Sequence, residues 1–258
     1  MTRTKKAVQK GVGKRKRDDN VAGGDTQPPS KRINTLNPPQ RPKQSDCDET
    51  IAAMDPSLLA DHFAKAIRKH FPNNSSLEHE DLYLPTKAFR DTSNFDQTHV
   101  ATNLPEFLTK FTRGGVEELS TCGKEDGPHT LVITSSGIRT ADVARELRVF
   151  NKESSQVAKL IAKHMKLKDN IKYLQKTRVG IAISTPMRIR DLLKAGALKM
   201  DNVRRIVVDG SYQDEKKRSI FDLDELCLPL LDLLNQDEIK TRFSTKASVE
   251  SPLEILVF

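Results

Sequence analysis

Apolar and polar positions divide the chain into three stretches of different texture. Residues 1 to about 50 have no apolar period; PPSKR and NPPQRPK mix proline with basic and amide residues. Ordering such a segment costs backbone entropy with no apolar burial to offset it, so the pattern predicts a disordered tail. The second stretch, 51–125, contains Asp55-Pro56, an N-cap followed by proline at the first helical position. Leu59, Phe63, Ile67 and Phe71 recur every fourth residue and predict one apolar helix face. Residues 77–96, around YLPTKAF, are polar and irregular and predict an extended wrapping segment. Asn103 stands where it would cap a helix beginning LPEFLTKF, interrupted at Gly114-Gly115.

The third stretch, 126–258, alternates short apolar runs with helical segments. TLVIT (130–134), VGIAI (179–183) and RIVVD (205–209) read as strands, and LEILVF closes the chain. The run around 157–161 fits strand or helix. ADVARELRVF, residues 167–175, MRIRDLLKAG and residues 221–234 read as helices. Strands that are apolar without alternation are buried on both faces, and helices between them imply crossovers. The fold class expected is therefore α/β, a parallel sheet flanked by helices. Its ligand-competent edge is where strands end, at Thr134-Ser135-Ser136, Ser184-Thr185-Pro186 and Asp209-Gly210.

Charge changes the reading of the tail more than that of the sheet. The chain carries a net +8, yet residues 1–43 hold twelve basic residues against three aspartates, a net of +9. The remainder is thus −1, and the basic character belongs to the tail. Lys5-Lys6 and Lys14-Arg15-Lys16-Arg17 are separated by a short spacer. That spacing suits a two-part nuclear import signal read by acidic grooves on an import receptor, and equally an RNA-contacting arm. GVGK at 11–14 has no strand before it and no Ser or Thr after its lysine, so it is not a phosphate loop. The three cysteines are far apart without a CxxC pair, which argues against zinc and for a reducing compartment. No apolar run approaches a membrane span, so no membrane partner is expected.

The strand ends, in order, resemble the first RecA-like lobe of DEAD-box RNA helicases. SSGIRTADV stands where that family has a PTREL-type motif, TPMR (185–188) where it has TPGR, and VVDGSY (207–212) where it has the DEAD strand. Nearly the whole chain is similar to a small eukaryotic family of 90S pre-ribosomal complex subunits, factors of the small-subunit processome that look like degenerate DEAD-box lobes. The segments carrying this are LEHEDLYLPTKAFRDT, LVITSSGIRTADVAREL, VAKLIAKHMKLKDNIKYLQ and IAISTPMRIRDLL through RRIVVDGSYQD. The resemblance implies a single RecA-like lobe, P-loop NTPase-like without the P-loop. It also implies a nuclear and nucleolar location and a role in pre-rRNA processing and small-subunit assembly. The partners implied are pre-rRNA or snoRNA and other processome proteins.

Catalysis is not expected, and neither is a cofactor. No GxxxxGK[ST] follows a strand, Gly210 stands where a water-polarising glutamate would be, and no SAT-type motif follows. Only 49 residues follow Asp209, against on the order of 100 or more for a second lobe. Asp209-Gly210 therefore reads as a remnant of a nucleotide-hydrolysis strand. The alternative is an ATP-dependent helicase-like remodelling factor completed in trans; an α/β methyltransferase lacks the glycine-rich first turn.

RNA contact is a separate matter. Thr185 ends a strand and Pro186 opens a helix whose first N–H groups face outward, so a phosphate there would also meet the Thr185 hydroxyl and the Arg188 guanidinium. Ser135 and Ser136 offer hydroxyls at the neighbouring strand end, with Gly137 where the helicases carry Arg and Met187 where they carry Gly. Each has a plain structural reading too: helix caps for the hydroxyls, a solvated charge for Arg188, a turn acceptor for Asp209. The run 214–218 mixes signs and reads as an exposed helix start.

Overall fold

The computed structural model describes residues 47–122, 127–163, 165–244 and 253–258. The tail residues Lys5, Lys6, Lys14, Arg15, Lys16 and Arg17, and GVGK at 11–14, lie outside these. Among the described residues five strands form the sheet: β1 (Thr130–Ile133), β2 (Gln156–Leu160), β3 (Val179–Ser184), β4 (Arg205–Val208) and β5 (Glu254–Val257). Every pairing is parallel, in the order β2-β3-β1-β4-β5. The central strands β1, β3 and β4 are buried throughout, as their unbroken Val/Ile/Leu runs demand. The ambiguous run around 157–161 is the edge strand β2; with a neighbour on one side only it tolerates the exposed Lys159.

The helices are α1 (Glu49–Ala52), α2 (Pro56–His70), α3 (Ser76–Leu82), α4 (Leu104–Phe111), α5 (Gly115–Leu119), α6 (Gly137–Glu146), α7 (Leu167–Lys176), α8 (Pro186–Lys194), α9 (Asp224–Leu234) and α10 (Asp237–Ser244). Asp55 caps α2 through bonds from the Ser57 and Leu58 N–H groups, and Leu59, Phe63 and Ile67 form its buried face. Successive strand side chains alternate between two faces. Leu131, Ile133, Ala182, Ile206 and Val208 pack with α2, α8 and α9 in one core. Val132, Ile181, Ile183, Val207 and Leu256 pack with α4 and α6 in the other, beneath Phe107, Phe150 and Phe258.

Local expectations differ from the structure at four places. Residues 77–96 are not wholly extended, because Ser75 and Glu78 form a reciprocal capping box that nucleates α3. Beyond α3 the segment does wrap: Phe89 bridges Ile255 in parallel and the Arg90 N–H donates to the Ile255 carbonyl at 2.8 Å, covering the outer edge of β5. Asn103 precedes α4 but its side chain makes no cap bond; its Nδ2 donates to the Thr98 carbonyl instead. Residues 214–218 form a turn, since the Asp214 carboxylate accepts the N–H groups of Lys216 and Arg218 and the Nε and Nη2 of the Arg218 side chain, and Lys217 takes φ 59°. The apolar helix begins at Asp224 rather than Phe221.

Candidate nucleic-acid interface

Parallel pairing places all the strand C-termini on one edge. Ile133 of β1 is level with Ser184 of β3 and with Val208 of β4. The Thr134 N–H donates to the Ser184 carbonyl at 2.9 Å and the Asp209 N–H to the Ile133 carbonyl at 2.9 Å, so Thr134, Thr185 and Asp209 sit side by side. The helix after β1, α6, packs on one face, whereas α8 after β3 and α9 after β4 pack on the other. The crevice beside the end of β1 is thus a topological switch point, where open α/β sheets bind ligands. Ser135 and Ser136 line it from one strand, Thr185 and Pro186 from the next.

The end of β4 is satisfied from within. Arg139, one turn into α6, lays its Nε and Nη2 on the two Asp209 carboxylate oxygens, both at 2.8 Å. Each side chain is only 1% exposed. The Tyr212 ring stacks 4.4 Å from the Arg139 guanidinium carbon. Burial opposes the Arg139 charge, but the Asp209 carboxylate more than offsets it, so its pKa lies above the ordinary arginine value. Ser136 holds α6 in register, its hydroxyl accepting the Arg139 N–H at 3.1 Å. Cys47 bridges Tyr212, and the Asp48 N–H donates to the Ser211 carbonyl at 2.6 Å, laying the chain's N-terminal side over this pair.

Gly210 is equally committed. A Cβ there would stand 2.9 Å from Val257 Cγ1 and 3.3 Å from Phe221 Cε2. Its N–H is shared between the Val208 and Phe258 carbonyls at 2.9 and 2.8 Å. A glutamate side chain has no room at this position, and nothing charged could point from it toward solvent.

The end of β3 is different. Thr185 is the N-cap of α8 but makes no side-chain cap bond, and buried Pro186 takes the first helical position. Arg188 is only 7% exposed. Its Nη2 reaches the Met165 carbonyl at a long 3.4 Å, and its Nε and Nη1 have no partner among the described residues. No described carboxylate pairs with it. Ser135 likewise keeps a buried hydroxyl with no partner among the described residues, while Ser136 is spent as the α6 cap. Unmet buried donors are costly unless water or a ligand completes them. The structure therefore brings Ser135, Thr185, Pro186 and Arg188 to one edge, with Ser136 structural and Asp209 and Gly210 locked beside them.

Among the described residues no group of three or more His, Cys, Asp or Glu is placed to hold a metal ion. Asp209 has no free oxygen pair to offer Mg²⁺. The residue that sequence reasoning missed is Arg139. Its only linear signal is a charge on the inward face of the helix that follows β1, and its partner lies 70 positions away.

A protein-family profile described as "CMS1: U3-containing 90S pre-ribosomal complex subunit" matches residues 1–250. The chain is 44% identical over 213 residues to "Protein CMS1" of Chaetomium thermophilum, covering 80% of this chain and 84% of that protein. It is 33% identical over 179 residues to "Protein CMSS1" of Xenopus laevis, covering 68% and 62% of the two chains. "Protein CMS1" of Saccharomyces cerevisiae is 29% identical over 209 residues, covering 73% and 64%. By the profile match over residues 1–250 and the Chaetomium relative, this chain belongs to the CMS1 family of 90S pre-ribosomal complex subunits.

Proposed function

We propose that the chain is a non-catalytic assembly factor that docks RNA and protein within the 90S pre-ribosome. The coarse role, a subunit of that complex, comes with family membership. The finer reading is participation in pre-rRNA processing and small-subunit assembly, in the nucleus and nucleolus, among other small-subunit processome proteins. The single observation that carries the non-catalytic part is the Arg139–Asp209 pair, which occupies the carboxylate a nucleotide hydrolase would need for Mg²⁺.

RNA contact is assigned to the end of β3. A phosphate seated at the α8 N-terminus meets free helix N–H groups and their positive dipole. Arg188 offers it two unmet donors, and the Thr185 and Ser135 hydroxyls complete the site. Such contacts position the backbone and carry no base identity. The basic residues Lys5, Lys6, Lys14, Arg15, Lys16 and Arg17 serve nuclear import through a receptor and add salt-sensitive phosphate contacts.

The test is ultraviolet crosslinking of RNA to the full chain in nuclear extract, with Arg188→Met beside the native sequence. The expected result is a crosslink at the β3 end that weakens in the variant; an undiminished crosslink removes the site. Deletion of residues 1–50 is expected to reduce nuclear localisation and particle association; no change in either removes the tail's role. The alternative, an ATP-dependent remodelling factor completed in trans, requires Asp209 to leave Arg139. RNA-stimulated ATP turnover by the chain with its co-purifying partners would install that alternative.

A further inference from the structure

The folded part hides a polarised surface behind a net charge near zero. Residues 159–178 contain seven cations, Lys159, Lys163, Lys166, Lys168, Lys172, Lys176 and Arg178, against the single acid Asp169. That segment carries +6, so the rest of residues 44–258 carries −7. All seven are exposed. A solvated helix face ordinarily balances its signs, whereas here seven cations are set against one exposed acid, Asp169.

The structure explains why they line up. In α7, Asn170 is buried and Leu167, Ile171, Tyr173 and Leu174 pack toward the core beside α8 and β2. The opposite face is left to Lys168, Lys172 and Lys176, each one helical turn from the next, about 6 Å apart along the axis. Lys166 stands at the N-cap position of α7, at the same sheet edge as the β3 end. Met165 beside it supplies the carbonyl that Arg188 reaches. The track therefore leaves the Arg188 site and runs the length of α7 to Arg178, while Lys159 projects from β2 on the other face of the sheet.

We infer that this outer face of α7 is a second RNA-backbone surface, continuous with the α8 N-terminus. It rests on the RNA-binding reading above and extends it to residues that reading does not use. Among the described residues the exposed large hydrophobics are Leu58, Leu77, Val116, Ile138, Val149 and Met187, and none falls within 159–178. A membrane would need an apolar group to insert, and a tight protein interface an apolar or aromatic centre. A long, predominantly cationic lysine row suits a polyphosphate chain, which lysines bind as point charges. Lys159 alone would also keep the β2 edge from pairing with another strand. That does not account for the six cations beyond it.

The experiment measures binding of the full chain to a single-stranded RNA and an RNA duplex as a function of salt, with polyglutamate as competitor. The variant is Lys168→Gln/Lys172→Gln/Lys176→Gln, all solvent-facing, with thermal unfolding recorded to verify the fold. Each phosphate contact contributes about 0.7–0.9 to the slope of log affinity against log salt. The triple variant is expected to lower that slope by about 2–3 and affinity near 0.15 M salt by roughly ten- to a hundredfold. Unchanged slope and affinity overturn the surface. So does competition by polyglutamate as effective as by RNA, which would assign the face to an acidic protein. Loss in Arg188→Met with the lysine variant unaffected overturns this surface and leaves the strand-end site standing. Failure of the native chain to bind either RNA removes the RNA reading itself.

Discussion

The ends of β4 and β3 are two places apart in the sheet order and have had opposite fates. At β4 an acid, Asp209, is met by a base from the facing helix, and the adjoining glycine is walled in by Val257 and Phe221. At β3 a base, Arg188, is also buried and keeps two donors unmet. Burial alone therefore does not distinguish a structural charge from a binding one; the distinction lies in whether the partner is already inside the protein. A charge pair satisfied within is costly to break, whereas a charge held without its partner is cheap to remove from the fold.

The largest effect is expected where the comparison is sharpest. Asp209→Ala leaves Arg139 buried without a counter-charge and should lower stability by about 3–5 kcal/mol in urea unfolding. Arg139→Met/Asp209→Leu, which removes both charges, should recover much of it. A double variant no better than Asp209→Ala would mean the pair is not what holds this edge.

The opposite sheet edge offers a reference. His129 is buried there, its Nδ1 2.8 Å from the Thr130 hydroxyl, and its pKa is pushed down to about 4, first by burial and then by Arg205. Because the folded state resists the proton that the unfolded chain accepts at about 6.5, stability should fall as pH drops from 6.5 toward 4, by about 3 kcal/mol in all. His129→Gln should flatten that decline; an unaltered pH profile would assign it to other groups.

Gly210→Ala comes next, with a Cβ forced to 2.9 Å from Val257, costing roughly 1–3 kcal/mol by thermal or urea unfolding. Gly210→Glu should cost more and yield no ATP turnover, because the larger side chain disturbs the packing against Val257 and Phe221. Turnover in that variant would break the contrast from the β4 side.

The smallest change in stability is expected at Arg188→Met, within about 1 kcal/mol of the native chain, because an unpartnered buried cation contributes little to the fold. RNA affinity should nonetheless drop about tenfold. If stability collapsed instead, Arg188 would belong with Asp209.

Much of the architecture was legible in the linear pattern. The unbroken apolar runs at 130–134, 179–183 and 205–209 announced buried parallel strands, and Asp55-Pro56 with its every-fourth apolar residues announced α2. These signals are local: periodicity and capping act within a few residues. The run at 157–161 was ambiguous because an edge strand with one neighbour tolerates polar residues, and position in the sheet is not written in the run itself. Asn103 looked like a cap until the nearby Thr98 carbonyl offered its amide a better partner.

The sequence by itself determined that three polar strand ends would share one edge, that the net positive charge of the chain sits in its tail, and that glycine rather than glutamate follows Asp209. Only the tertiary structure decided which end is closed and which is open. That depended on α6 and α8 leaving adjacent strands toward opposite faces, which carries Arg139 onto Asp209 and leaves Arg188 unmatched. Helix and strand formation follow from neighbours in the chain. The pairing of charges follows from neighbours in space, and those two sets of neighbours coincide only after the sheet is built.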